Sequence, residues 1–498
     1  MGKIKSAIIT ALVVAAIVVL TLFATVSCTV PGSNGVKRYN SFISNVKMGA
    51  SLTGEAYTVL YPEGVMSEAD YIFGIPDDAD KAQEYKAKYE KRGSLYVEKD
   101  RLGDDENAFK ANVKKDAEIL SDRFGEKGYS SYSVSVVDGF ALRISVPTDF
   151  TYAAYKSYDS SARSEATGKI SRTVQYLTAD GELTLRNSEV GKGNDKLLTP
   201  VNGNVSDYFK SFKEYSSGKR YAVKVNLTKE GKELIKSATG NIVANASSDK
   251  AIGFYVGDTQ LLSLTVDSAI DGKSFYITVN DESYAQDYAI ILNSVAHNNV
   301  LSLDYGAGSN MQIVYATPSL GEYAAVYLLV ALLLVLAAAI VFSVVRYKKL
   351  GLVNAITLFI YALTIVIALM LIGIQLTLAG AFAIILGLAL VAGSNFAVFE
   401  AVRSETKKGK TVQSAVKSGY KSRLTAILDL HLILMVVSLL LTLICAGEIQ
   451  AVGFIFFIAS VASYILHWFT RFMWFVTSSP SKDKFKFGGF KREVSLDD

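Results

Sequence analysis

Hydrophobic and polar positions divide this chain into long apolar runs and one long mixed stretch. Runs of about 20 apolar residues, the length that crosses a bilayer, fall at 6–27, 323–345, 352–374, 378–402, 424–446 and 452–476. Between the first and second runs, over residues 29–322, apolar positions thin out and alternate with polar ones. That is enough chain for one or two globular domains. The pattern predicts six membrane spans, one plus five, around a large polar insertion.

Within the insertion, period-two alternation predicts strands at 55–61, 133–137, 140–146, 220–227, 252–256, 261–266 and 300–305. Helical spacing appears at 108–125, 228–237 and 281–294, and 79–92 reads as a charged, solvated helix. Asp138-Gly139 is a hairpin signal. Residues 151–217, rich in Ser, Tyr, Gly and Asn, read as irregular strands and loops. With residues 151–275 set aside, the order is strand, helix, strand, strand, helix, strand, that of a ferredoxin-like split βαβ. The expected fold class is thus an α+β membrane protein with six transmembrane helices and a ferredoxin-like base carrying an inserted α+β head. The expected domains are the N-terminus with the first span (1–28), the base in two parts (29–150 and 276–322), the head (151–275), a five-helix bundle (323–476) and a basic tail (477–498).

Charge orients the spans. Lys3 and Lys5 precede the first. Arg346, Lys348 and Lys349 follow the second, seven basic residues from Arg403 to Arg423 follow the fourth, and five lie in the tail between Lys482 and Arg492. The alternate connections, near Gln375 and Glu448, carry none. By the positive-inside rule both termini are cytoplasmic and residues 29–322 extracytoplasmic, in a cell membrane. Topology accounts for the net charge of +4, so no nucleic-acid partner is expected. The two cysteines, Cys28 and Cys445, sit at membrane boundaries, which leaves the insertion without a disulfide framework. Thr25-Val26-Ser27-Cys28 hints at a lipoprotein cleavage site, but Thr is a poor residue at its position, and the first run reads as a retained anchor.

Candidate chemistry lies in the bundle. The fourth run breaks at Gly393-Ser394-Asn395, polar and flexible residues that are costly in lipid unless they pack or bond to other helices. Asn395 and Asp429 fall at matching depths, and with His431, His467 and Arg471 they are expected to form a polar layer between the last three spans. Asp429 is the only carboxylate well inside a span. Two readings stand for it, a proton site and a packing hydrogen bond or ion pair with Arg471. His431 reads as a packing residue, and Glu400 as an interfacial ion pair with Arg403. Gly380, Ala383 and Gly387 give the fourth helix a small-residue face for close packing. Gly409-Lys410-Thr411 is an incomplete phosphate loop. The insertion has one histidine, His297, so no metal site, cofactor or enzymatic chemistry is expected.

The order of these motifs resembles SecD, the six-span subunit of the SecDF accessory complex of bacterial protein export, in the RND superfamily. Gly49, Leu52 and Gly54 stand where that family has its Gly-Leu-Asp-Leu-x-Gly-Gly stretch, with Ser51 in place of the acid. Asn395 to Glu400, then Arg403, Gly419-Tyr420 and Asp429, resemble its Asp-Ala-Asn-Val-Leu-Ile-Phe-Glu-Arg block, Gly-Tyr-Lys and later Asp. Where the family carries a proton-bearing aspartate, this chain has Gly393. The resemblance implies a SecF-like partner, a SecYEG translocon, unfolded exported polypeptides as cargo, membrane lipids as surroundings, and proton-motive force. Two alternatives remain: a non-motor scaffold for the SecF-like partner, and a six-span half of an RND-type exporter. The tyrosines 152, 155, 158 and 176 are candidates for contact with an extended chain.

Overall fold

The computed structural model describes residues 3–32, 35–101, 105–129, 131–147, 168, 171–187, 196–197, 205–217, 220–244, 250–305, 313–318, 320–321 and 323–478. The basic tail and Tyr152, Tyr155 and Tyr158 lie outside them. The chain is a mixed helix and strand protein with two compact units. One holds the spans and their flanking segments, the other Ala56–Val146 with Arg163–Ala316.

The membrane unit has six apolar helices long enough to cross a bilayer. They are Lys3–Thr25, Ala324–Tyr347, Lys349–Ile372, Leu378–Lys407, Val412–Ile444 and Gly447–Ser478. The fifth starts well before its apolar run. Thr411 caps it by accepting a hydrogen bond from the Ser414 amide, and Ala415, Val416, Gly419 and Tyr420 form a buried stripe among charged neighbours. The third, fourth and sixth spans make the centre, 39%, 50% and 44% buried against 6%, 11% and 17% for the first, second and fifth. Leu358, Tyr361, Val391, Ile455 and Ala459 pack at its middle, and Phe399, Tyr420, Met473 and Trp474 near the basic loops. Gly387 allows a close approach to two neighbouring helices. A Cβ there would lie 2.1 Å from the Tyr361 hydroxyl and 2.6 Å from the Ala459 methyl.

After the first span a two-stranded ribbon, Cys28–Gly32 with Gly35–Tyr39, leads to a clasp on the connection between the third and fourth spans. Gly49 N–H donates to the Leu376 carbonyl (2.8 Å), Leu376 N–H to that of Lys47 (2.9 Å), and Leu378 N–H to Ser51 Oγ (3.0 Å). The helical turn Ala50–Thr53 ends at Gly54, whose φ of +92° favours glycine. Leu52 is buried with Met48, Ala324 and Ala325.

In the other unit, strands Glu55–Leu60, Ser133–Val137, Ala141–Pro147 and Val314–Ala316 form one sheet in the order fourth, first, third, second. This is the order a split βαβ produces. The helix Glu106–Glu126 buries Val113, Leu120 and Phe124 in the same core. A second core joins the antiparallel sheet Phe209–Ser217, Arg220–Leu227, Ser274–Val279 to another built on Leu183–Asn187, Ala251–Val256 and Thr259–Thr265. The helices Lys229–Ala244 and Glu282–Ala296 complete it.

Two expectations fail here. Residues 300–305 are not a strand. The buried carboxylate of Asp116 accepts from the Ser302 amide (2.7 Å), the Leu303 amide (3.1 Å) and the Tyr305 hydroxyl (3.1 Å), so these donors are satisfied without a neighbouring strand. The sheet takes Val314–Ala316 instead. Nor is 79–92 one solvated helix. It is the helix Ala79–Lys88 followed by a strand, Tyr89–Arg92, paired to Leu95–Glu98. Tyr71 stacks on Tyr96 at 3.7 Å, with Tyr85 and Tyr89 against it, and that aromatic cluster repays ordering a charged segment.

Two buried charged sites in this unit have several partners each. Arg123, 2% exposed, donates to the carbonyls of Leu177 (3.0 Å), Ala179 (2.9 Å) and Asn299 (2.9 Å) and to Ser294 Oγ (2.9 Å). Burial still pushes its pKa down to about 10. Lys127 pairs with Asp287 at 2.7 Å, and Thr173 donates to the same carboxylate (2.8 Å). Burial raises Asp287 above the usual carboxylate range, while Lys127 and Thr173 pull it back.

Candidate functional site

Asn395, wholly buried, is the centre of a polar chain that crosses the membrane unit. Its Nδ2 donates to Asn354 Oδ1 (2.7 Å) and Thr470 Oγ1 (3.2 Å). Asn354 Nδ2 donates in turn to Ser343 Oγ (2.9 Å), and Thr357 shares a hydrogen bond with Thr470 (2.8 Å). With its amide donating, Asn395 Oδ1 is an acceptor, so His467 Nδ1, 3.0 Å away, carries the proton and donates. His467 Nε2 is then a bare acceptor, buried with no partner among the described residues. Four spans, the second, third, fourth and sixth, are tied by neutral groups alone.

The expected five-member layer forms only in part. Asn395 and His467 meet. His431 is buried but bonds elsewhere, Nδ1 to the Ile427 carbonyl (2.8 Å) and Nε2 to Ser463 Oγ (2.9 Å). Two residues before it, about 200° round the helix, Asp429 faces outward between the exposed Leu428 and Leu430. The Asp429–Arg471 ion pair is not formed. The Arg471 guanidinium lies over the rings of Trp468 (5.0 Å) and Tyr420 (5.5 Å) instead. The physical reason is angular, because the faces of span five that meet span six are those of Ile427, His431 and Ser438.

Gly393 also faces outward. It belongs to an exposed stripe of the fourth span, with Phe382, Leu386, Ala389, Ala397 and Glu400 at helical spacing. A Cβ built on Gly393 meets nothing within 4 Å. Glu400, at the basic end, accepts from the Tyr347 hydroxyl (3.2 Å), and Arg346 and Arg403 approach it at 3.4 Å. Gly419 sits where a Cβ would be 2.6 Å from a Val402 methyl, and Tyr420 is buried against Trp474 and His467.

Sequence reasoning missed Asn354, Thr357, Ser343 and Thr470 as members of the polar chain. An asparagine inside the third apolar run was the available signal. Among the described residues no group of three or more His, Cys, Asp or Glu is placed to hold a metal.

No family model matches this chain. Its sequence is 30% identical over 181 residues to the protein translocase subunit SecD of Aquifex aeolicus, covering 36% of this chain and 35% of that protein. It is 26% identical over 295 residues to SecD of Borreliella burgdorferi, covering 59% of this chain and 44% of that one. The chain thus spans less than half the length of these curated relatives. Its fold is similar to a crystal structure of SecDF in a super-membrane-facing form, with a TM-score of 0.53 and 15% identity, over 98% of this chain and 59% of that one.

Proposed function

We propose that this chain is a SecD-type membrane protein that assists Sec-dependent export of polypeptides as one half of a membrane complex, beside a SecF-like partner and the SecYEG translocon. The observation that carries this reading is the outward position of Asp429. A carboxylate facing hydrocarbon costs a few kcal/mol, and a second membrane subunit with a donor at that depth removes the cost. The exposed stripe through Gly393 supports the same assignment, since it leaves one face of the fourth span uncovered.

The buried chain around Asn395 contains no carboxylate, and its titratable member is His467. In this reading proton coupling runs through the face shared with the partner, with Asp429 as this subunit's contribution. The basic loops support cytoplasmic termini, which puts the soluble unit outside the cell membrane. There it meets the emerging chain. Exposed Phe73 and Ile72, and the Tyr215–Tyr276 pair at 4.8 Å, offer apolar contacts, and the open edges of its sheets offer backbone pairing.

The test is secretion in cells carrying Asp429→Asn, with and without a proton gradient, alongside recovery of the partner with the purified chain. Loss of the gradient-dependent component with the partner still bound supports the proposal. Unchanged gradient dependence assigns this subunit to scaffolding.

A further inference from the structure

The half of the membrane unit farther from the basic loops contains an apolar crevice of about 230 Å³. Its walls are the last turn of the first span, Leu328 to Leu336 of the second, Phe359 to Leu369 of the third and Ile384 to Leu388 of the fourth. Ile43, Val46, Met48 and Leu52 of the clasp close its end. Only three hydroxyls line it, and each is already engaged: Thr21 with the Ile17 carbonyl, Thr25 with that of Thr21, and Tyr361 with that of Ile384. Among the described residues no charged side chain lines it. Apolar cavities of about 150 Å³ stay dry and take up hydrocarbon.

We propose that this crevice binds one acyl chain of a membrane phospholipid. Depth selects the occupant. The wall from Ala325 to Leu336 rises roughly 16 Å at 1.5 Å per residue, about half of a 30 Å hydrocarbon core, so the crevice matches one leaflet. The bound chain fills the notch between the first and second spans and stiffens the seat of the clasp.

The test reconstitutes the full chain with a phospholipid bearing a photoreactive diazirine in mid-chain and maps the labelled peptides by mass spectrometry. The proposal expects label concentrated on 359–369 and on Leu328, Leu329, Leu332 and Leu336, which line the crevice, above that on the lipid-facing Leu432, Ile433 and Val436 of the fifth span. Filling the crevice from either wall, with Ala362→Phe or Leu332→Trp, removes the first signal and leaves the second, with that on the outward Tyr327, Val330 and Leu334, as internal controls of fold. Even labelling of all these surfaces in the unaltered protein overturns the proposal, as does labelling of 359–369 that neither substitution changes. Label on the fifth span with none on 359–369 overturns it as well.

Discussion

The two units bury polarity by opposite rules. The soluble unit buries whole charges: Arg123, Asp116 and the Lys127–Asp287 pair are sealed from solvent, each with several partners. The membrane unit buries Asn354, Asn395, Thr357, Thr470 and two histidines, and turns Asp429 and Glu400 outward. A buried charge persists only where enough fixed dipoles replace its water. Loops and helix ends in the soluble unit supply free carbonyls and amides for this purpose. Continuous membrane helices have spent theirs internally, so only side chains remain, and these suffice for neutral groups.

The strongest way to break this contrast is Arg123→Ala. It leaves three carbonyls and Ser294 without their donor, and the expected loss is about 3–4 kcal/mol, read as a lowered midpoint for the soluble unit in denaturant unfolding. Asn395→Leu comes next. Removing the hub of the membrane chain is expected to cost about 1–2 kcal/mol, measured as thermal stability in detergent, with Asn354→Leu giving a non-additive double mutant.

A smaller effect comes from pH. Asp287 has its folded pKa raised by burial above 3.8. Its proton is held more tightly folded than unfolded, so its contribution to stability is present below the unfolded value and lost as pH rises through the folded one. Asp287→Asn should therefore flatten the fall in melting temperature with rising pH across that window. If the wild type shows no such fall relative to the variant, Lys127 dominates the pair. Least of all, Asp429→Leu should leave the stability of the chain alone unchanged or slightly raised in detergent, while reducing recovery of the proposed partner. A clear loss of stability would mean the carboxylate has a partner within this chain.

Much of the architecture was legible because its signals are long. Six apolar runs gave six spans, and helical spacing around Val113, Leu120 and Phe124 gave the long soluble helix. The failures share a cause, which is that one side chain from far away decided a local structure. Residues 300–305 alternate like a strand, yet Asp116, almost two hundred positions earlier, takes their amides. The helical wheel separated Asp429 from His431 by face, but nothing in the sequence says which face meets the sixth span. That choice rests on Ser463 and on close packing at Gly453, where a Cβ would lie 2.8 Å from Leu441. Gly393 reads as a break in an apolar run, and only its position shows that it opens onto the outside of the bundle.

The clasp at Gly49 has a mechanical consequence. The strand Glu55–Leu60 begins directly after Gly54, and a few residues back the backbone is bonded on both sides to Leu376. Tension along that strand cannot reach the first span without first loading the Leu376 connection. Pull on this strand therefore reaches the membrane bundle at two points: the first span through the covalent chain, and the start of the fourth through three hydrogen bonds acting in parallel. The helix that carries Asn395 inward and Gly393 outward is the one that receives the load.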